Sequence, residues 1–540
     1  MSMSRPCLKQ IARLLWFCGC LTAFPPCLPA QDDDQTGIKL FRAATTNLYG
    51  SGIRVAQIEA DDGEPVGAQD FEVDPAAVGF PAAKLTFLGA GGSSGVYPNK
   101  IGVNSYHSDR VGQFFYGTVS PGQSANGVAT NVAHVDVVDA TYFHWNELFP
   151  MNSLNDSICC QSYTFGAVPL LTRQAWDSGF DDYSAQFGVL FVAAAGANGV
   201  PPPPGTAYNS ISVGAYGSGS SSATGPTPDN GRCKPDLTAP DANTSFSAPQ
   251  VAGAAAVLQQ AGWRGDGGPN TNAAADPRTL KALLLNGAVK PVGWTNSAKT
   301  PLDARYGAGL FNLYNSYCQL AGGKQSNSVA STVALAAAHP PAATTNTSGA
   351  LSGWDFTTVY SSGTADAINH YYFNLTNGVG QGPWLATATL VWNRQLGSDT
   401  INNLRLYLYN LANSNLVACS TSAVDNVQHL WLPQLAPGRY DLQVWKAGGN
   451  GFVSPDETYA LAFAFAPMPR LTIRMTDGSM TLSWPAYPAG FVPQASNGLL
   501  GATAWSTNNL LPIVYSNQQN NVTVYCTNKA QGYRLYSPNF

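Results

Sequence analysis

The 540-residue sequence predicts an α/β domain, a parallel sheet covered by helices on both faces, followed by a β-sandwich and a small β module. Three observations predict it. Up to about residue 325, short and nearly continuous apolar runs alternate with helical patterns and end in small-residue turns, as strands buried on both faces do. After Trp354 the period changes to 2, with Leu404, Leu406 and Leu408 alternating with Arg405, Tyr407 and Tyr409. Between the two lies an Ala/Thr/Ser/Pro-rich stretch of the kind that joins domains. A chain this long exceeds what a single core supports.

Composition sets the compartment. Only 11% of residues are charged, which suits a strand- and turn-rich exported protein better than a helical cytosolic enzyme. The formal net charge of -5 gives no electrostatic reason to expect nucleic acid or an anionic membrane as partner. Arg5, Lys9 and Arg13, the apolar run Leu14 to Phe24, and Leu28-Pro29-Ala30 together read as an export signal over residues 1–30. The apolar run is too short to span a bilayer comfortably. No integral membrane segment is expected after removal of the signal, and the chain is expected to be secreted or otherwise extracytoplasmic, the cell surface included. Cys7, Cys18, Cys20 and Cys27 fall in the signal; Cys159, Cys160, Cys233, Cys318, Cys419 and Cys526 remain. No pair has C-x-x-C spacing, so a cysteine-bound zinc is not expected, and spacing alone does not choose disulfide partners.

Gln35 to Leu48 reads as a short helix and Ile53 to Ile58 as a buried strand, ending at Glu59-Ala60-Asp61-Asp62-Gly63. Carboxylates at the carboxyl ends of parallel strands lie where open α/β sheets place their chemistry. Asp61 keeps the facing of Glu59 by period 2. Were Asp61 the functional group, Glu59 would still carry a charge inside the strand. Glu59 is therefore the preferred acid, the bland alternative being that all are surface loop residues. The next candidate is His107, where a helix containing Val111, Phe114 and Phe115 begins. His134, His144, His339, His370 and His429 have less suggestive settings. Strands follow at Val132 to Ala140, Ser157 to Tyr163, Phe187 to Ala195 and Ala207 to Val213, with helices at Pro277 to Ala288 and up to about Leu320. The third strand ends in Ala195-Gly196-Ala197-Asn198-Gly199, where an amide side chain suits donation to an oxyanion or simple tolerance of a left-handed turn.

Pro235 to Leu258 organises the domain. Its second half is a helix of small and apolar residues, and Ser245 stands at the amino end. There free N–H groups and the helix dipole favour developing negative charge, which suits a nucleophilic serine. The competing use of such a serine is a helix cap. Pro249 is expected in the first turn, where its missing N–H has no partner to lose. Glu59, His107 and Ser245 then occur in the order acid, base, nucleophile.

These blocks resemble the subtilisin-like serine peptidases. The likeness runs from about Gly37 to Lys324. It rests on Val55-Ala56-Gln57-Ile58-Glu59, His107-Ser108-Asp109-Arg110-Val111-Gly112, Val192-Ala193-Ala194-Ala195-Gly196, Lys234-Pro235-Asp236-Leu237-Thr238-Ala239-Pro240 and Thr244-Ser245-Phe246-Ser247-Ala248-Pro249-Gln250-Val251-Ala252-Gly253. It implies a subtilisin-like fold in which Ser245 attacks the peptide carbonyl of a protein or peptide substrate, His107 is the base and Glu59 orients it, with no cofactor and no assigned metal. Four departures stand out. Glu59 replaces the usual aspartate. Asn243 replaces the glycine before Thr-Ser, a position where asparagine's tolerance of positive φ is expected to serve. Ala197 takes the place of the oxyanion asparagine, leaving Asn198 one position late. Ser108-Asp109-Arg110 replaces Gly-Thr-His. A catalytically silent scaffold that serves in binding or adhesion is the alternative these departures keep open.

The domains are therefore read as the signal (1–30), the subtilisin-like domain (31–325), a linker (326–350), a β-sandwich (351–468) and a final β module (469–540). Leu435-Ala436-Pro437-Gly438-Arg439-Tyr440-Asp441-Leu442 resembles the pre-peptidase carboxyl-terminal type of domain. Met480-Thr481-Leu482-Ser483-Trp484-Pro485 is the clearest strand of a fibronectin- or immunoglobulin-like unit. Aromatics in these modules suit contact with a polymer or glycan, packing being their commoner use.

Overall fold

The structure is a computed structural model. It describes residues 35–61, 69–118, 127–163, 169–217, 219–325, 328–335, 341, 349–375, 383–476, 478–496, 505–506, 513–525 and 531–537. The export signal, Asp62, His339 and Cys526 lie outside these residues.

Eight strands form the first sheet: β1 (Arg54–Glu59), β2 (Leu85–Gly89), β3 (Gly92–Ser94), β4 (His134–Asp139), β5 (Ile158–Gln161), β6 (Leu190–Ala194), β7 (Ile211–Tyr216) and β8 (Leu237–Pro240). Their order is β3-β2-β4-β1-β5-β6-β7-β8, parallel throughout except for the β2–β3 hairpin. β1 pairs with β4 on one side and β5 on the other, in register Glu59 to Asp139 and Ile58 to Gln161. The chain builds outward to one side of β1, then crosses it to build the other. The carboxyl end of β1 is thus the switch point where such sheets open a crevice.

Alternation in β1 sorts its side chains onto two cores. Val55 packs with the small-residue helices on one face, while Ala56 and Ile58 pack with Phe143, Phe180 and Phe191 on the other. Gln57 and Glu59 share the facing of Val55. That face carries helix α1 (Ile38–Ala44), helix α2 (Tyr106–Phe115) and, after helix α3 (Leu170–Phe187) on the opposite face, helix α4 (Thr244–Arg264). Helices α5 (Pro277–Asn286) and α6 (Leu313–Ala321) follow. From Ala248 to Leu258 every residue of α4 is buried. Its alanines let the backbone approach the sheet, and Gly253 is required where α4 meets the end of α2. A Cβ there would stand 2.7 Å from Val128 Cβ and 3.2 Å from the Phe115 carbonyl.

Several expectations change. The apolar run from Phe187 divides, since Phe187 closes α3 and the strand begins at Leu190. Gly188, at φ 66°, makes that break. The interval 326–350, read as a linker, contributes strand β9 (Val329–Ala334), which pairs antiparallel along the edge of the second sandwich sheet. Among the described residues, Cys159, Cys160, Cys233, Cys318 and Cys419 carry free thiols.

The sandwich comprises β10 (Ser352–Tyr360), β11 (Ala365–Asn374), β12 (Trp384–Trp392), β13 (Leu404–Asn410), β14 (Leu416–Ser420), β15 (Val427–Leu435), β16 (Arg439–Lys446) and β17 (Asp456–Pro467). They form antiparallel sheets β10-β17-β12-β15 and β14-β13-β16-β11-β9 around one shared core that includes Trp392, Tyr371 and Phe463. The last stretch adds a four-stranded sheet (β18 Thr472–Thr476, β19 Ser479–Pro485, β21 Val514–Ser516, β22 Gln519–Tyr525) and a pair (β20 Val492–Ser496, β23 Gly532–Tyr536).

The sandwich is seated on the α/β domain through buried polar contacts. Asn286 Oδ1, at the end of α5, accepts from Thr387 and Thr389, each at 2.9 Å. Arg394 reaches Asp181 at 3.0 Å, Asp182 at 2.6 Å and the Ser178 carbonyl at 2.8 Å, all on α3. The Trp354 indole donates to the Leu320 carbonyl at 3.1 Å.

Candidate active site

Glu59 ends β1 fully buried, yet each carboxylate oxygen is hydrogen-bonded. Oε2 accepts from His107 Nδ1 at 2.9 Å and from the Ser162 hydroxyl at 2.7 Å. Oε1 accepts from Gln57 Nε2 at 2.9 Å. A buried carboxylate is tolerable only with such pairing. Because Glu59 is the acceptor, Nδ1 of His107 carries a hydrogen, which leaves Nε2 as the basic nitrogen. Asp61 lies just past the strand, half-buried. Its charge faces Asp139, whose carboxyl is pushed up to about 6, chiefly by burial and secondarily by Asp61.

His107 is the second residue of α2, and Ser105 caps that helix through Ser108 N–H. Its side chain is 31% exposed, so one edge of the ring reaches solvent. Gln57 binds this helix to β1. Its Nε2 also donates to the Ser108 carbonyl at 2.8 Å, and its Oε1 accepts from the buried Tyr116 hydroxyl at 2.7 Å. Asp109, one turn in, accepts from Asp74 N–H and Asn104, and burial pushes its carboxyl up to about 6.

Ser245 is likewise the second residue of its helix, with Asn243 as the capping position. The next residue, Phe246, places its ring centroid 5.4 Å from that of His107. The first turn of α4, which carries Ser245, therefore lies against His107, and the Ser245 N–H belongs to the turn whose donors lack intrahelical acceptors. Two local expectations are corrected. Asn243 has φ -122°, ordinary extended backbone, so this position calls on no tolerance of positive φ. Pro249 is the sixth residue of α4 rather than part of its first turn. Its missing N–H removes the i+4 donor that the Ser245 carbonyl would otherwise have.

β8, which feeds α4, is anchored by charge. Buried Asp236 binds Lys234 at 2.7 Å, Lys281 at 3.3 Å and Ser212 N–H at 2.7 Å. The two ammonium groups outweigh burial and hold its carboxyl below the usual range. Gly307, at φ 58°, passes so close that a Cβ would meet the Asp236 backbone at 2.3 Å.

Asn198 is exposed on the loop after β6. Its Oδ1 lies 3.4 Å from the Ser221 hydroxyl, which also donates to the Ala197 carbonyl at 2.8 Å. Ser221 in turn bridges Asn243, two residues before Ser245. The loop thus brings Asn198 to the rim of the site through Ser221. Gln57, Ser162, Tyr116 and Ser221 were not singled out from sequence. Only the i, i+2 spacing of Gln57 and Glu59 on one strand face could have signalled any of them. Among the described residues, no group of three or more His, Cys, Asp or Glu is arranged to hold a metal, and no helix is long and apolar enough to cross a membrane.

The fold and site define an α/β protein whose sheet gathers an acid, a histidine and a helix-borne serine at one end. Residues 152–309 match the model of the Subtilase family, Peptidase S8, and the chain carries a subtilase-family serine peptidase domain. That stretch includes Ser245 and Asn198, while Glu59 and His107 precede it. None of the curated protein sequences matches this chain. Among solved structures, the chain is similar to the prenylagaramide maturation protease PagA: 20% identity over 53% of this chain and 99% of that one, TM-score 0.36. MycP1 from Mycobacterium smegmatis is 17% identical over 55% and 87%, TM-score 0.33. Tripeptidyl peptidase 2 is 13% identical over 75% and 45%, TM-score 0.31. Scores this low leave the family match as the basis of the assignment. The sandwich and the last module lie beyond the matched residues.

Proposed function

We propose that this chain is an exported serine endopeptidase that cleaves peptide bonds through Ser245, His107 and Glu59. The carrying observation is the 2.9 Å bond from His107 Nδ1 to Glu59, with Ser245 on the adjoining helix. His107 Nε2 takes the Ser245 proton as Oγ attacks the scissile carbonyl. The tetrahedral oxyanion is held by the Ser245 N–H and by Asn198. The C–N bond breaks as His107 returns the proton to the leaving amine, and water then cleaves the acyl-enzyme by the same route. Glu59 keeps the imidazole in the required tautomer and stabilises its cation. Gln57 and Ser162 hold the longer glutamate side chain in place of the family's aspartate. Neither cofactor nor metal has a step in this scheme. Export, to the medium or the cell surface, is supported by the pattern of residues 1–30.

A fluorophosphonate that labels active serines tests this reading. Labelling of the wild type that is lost in Ser245→Ala and falls ~10³–10⁴-fold in Glu59→Gln is expected. Folded protein that takes no label sinks the reading. It would favour the second one, a silent scaffold in binding or adhesion, which the Ala197 substitution and the exposed Asn198 support.

A further inference from the structure

Arg110 follows His107 by three positions, so the two side chains share one face of α2. Its guanidinium carbon lies 5.1 Å from the ring centroids of both Phe114 and Phe246. Phe246 follows Ser245 in sequence, and its ring lies 5.4 Å from His107 and 6.1 Å from Phe114. A guanidinium and three rings therefore form one cluster at the start of the helix that carries Ser245. Arg110 is half-exposed. Among the described residues no carboxylate comes within the 4.0 Å of an ion pair, and no acceptor takes its hydrogens. Asp241 feels the charge, but it is half-buried and accepts the Asn243 N–H. Its five N–H donors are therefore left to solvent or to a ligand.

The chemistry says which half of a substrate this cation would face. The histidine that takes the serine proton gives it to the departing amine, so the leaving half of a peptide lies on the histidine side of Ser245. Phe246 and Arg110 border His107 and wall that half. Cation–π contact with two rings restrains the guanidinium, which lowers the freedom it would lose on binding. Its unused fork matches a carboxylate.

We propose that Arg110 is a specificity-determining residue that reads a carboxylate on the leaving side of the scissile bond. This rests on the peptidase reading above. The carboxylate comes either from an Asp or Glu side chain just beyond the bond or from a free chain terminus there.

The test uses the full chain and internally quenched peptides that differ only in the residue after the bond: Glu, Gln or Lys. A second set ends one residue beyond the bond as the acid or the amide. The expected result is a kcat/KM about tenfold higher for Glu than for Gln. That ratio should fall to about 1 in Arg110→Gln, invert toward Lys in Arg110→Glu, and persist in Arg110→Lys. A preference in the first set assigns the side chain as the source, and one confined to the second set assigns the terminus. Ratios near 1 in the wild type, or unchanged in Arg110→Gln, overturn the assignment. So does an equal fall on every peptide in both Arg110→Gln and Arg110→Lys. If the wild type takes the phosphonate label, such results remove the Arg110 role alone; without label or cleavage both readings fall.

Discussion

Gln57 donates to Glu59 Oε1 at 2.9 Å, two residues along the same strand. The same amide nitrogen donates to the Ser108 carbonyl at 2.8 Å on the helix that carries His107. The acid and the element bearing its histidine are thus tied through one buried side chain, which the Tyr116 hydroxyl holds in turn at 2.7 Å. Gln57→Leu strands Glu59 Oε1 and the Tyr116 hydroxyl in the core. The variant is expected to be about 1–3 kcal/mol less stable in chemical denaturation. Its phosphonate labelling should slow at least about tenfold, with a shifted pH midpoint, because His107 loses its fixed orientation. Tyr116→Phe removes one neutral bond and should cost about 1 kcal/mol.

Asn198 tests the oxyanion assignment. Its carbonyl end already faces Ser221, which turns the amide nitrogen away from that hydroxyl. Asn198→Ala is expected to slow labelling about 10²-fold, with stability within about 0.5 kcal/mol of the wild type. A labelling rate equal to the wild type's would leave the oxyanion to backbone N–H groups.

Arg394 tests whether the sandwich is part of the folded unit. Its side chain is 4% exposed and Asp181 1%, and the two form an ion pair at 3.0 Å. Arg394→Met leaves a buried carboxylate without its cation and should destabilise the chain by about 3–5 kcal/mol. Denaturation should stay a single transition for α/β and sandwich signals alike. Two separated transitions in the wild type would show that the modules unfold independently.

Lys290 makes stability depend on pH above neutrality. It is buried beside the cavity bounded by Asn286, Thr387, Trp431 and Tyr487, donates to the Ala308 carbonyl at 2.5 Å, and lies over the Trp294 ring. Burial lowers its ammonium to about 7 from 10.5. The folded state therefore holds fewer protons than the unfolded chain between those values. Its contribution is favourable above the unfolded pKa and is lost as pH falls toward 7. Lys290→Met should flatten the gain in stability between pH 7 and pH 9.5, a difference on the order of a few kcal/mol in denaturation midpoints converted to free energy. An unchanged slope would reassign the dependence to Lys281, which burial lowers to about 8.

The fold was legible because its signals are local. Apolar runs bounded by Gly, Pro and Asn mark strands wherever both faces are covered, and β1, β4 and β5 fall close to where those runs stand, while β7 (Ile211–Tyr216) starts four residues later than the run from Ala207. Boundaries were harder. Phe187 is as apolar as the strand that follows, and only the left-handed turn at Gly188 separates them. Strand β9 escaped notice because Val329–Ala334 lies exposed along a sheet edge, where little apolar alternation is needed and Ser and Thr suffice.

The sequence by itself determined the residue types and their order: Glu59 ending an apolar strand, His107 and Ser245 each opening a helix, and Asn198 one place beyond its expected position. It determined this because strand period, helix starts and turn residues are written in neighbours along the chain. Which groups meet was decided only by tertiary structure. Gln57, Ser162 and Tyr116 come from three separate elements, and Phe246 joins His107 to Arg110 only because Gly253 lets two helices approach. Contacts between residues tens to hundreds of positions apart depend on register and close packing, and no short stretch of sequence encodes either.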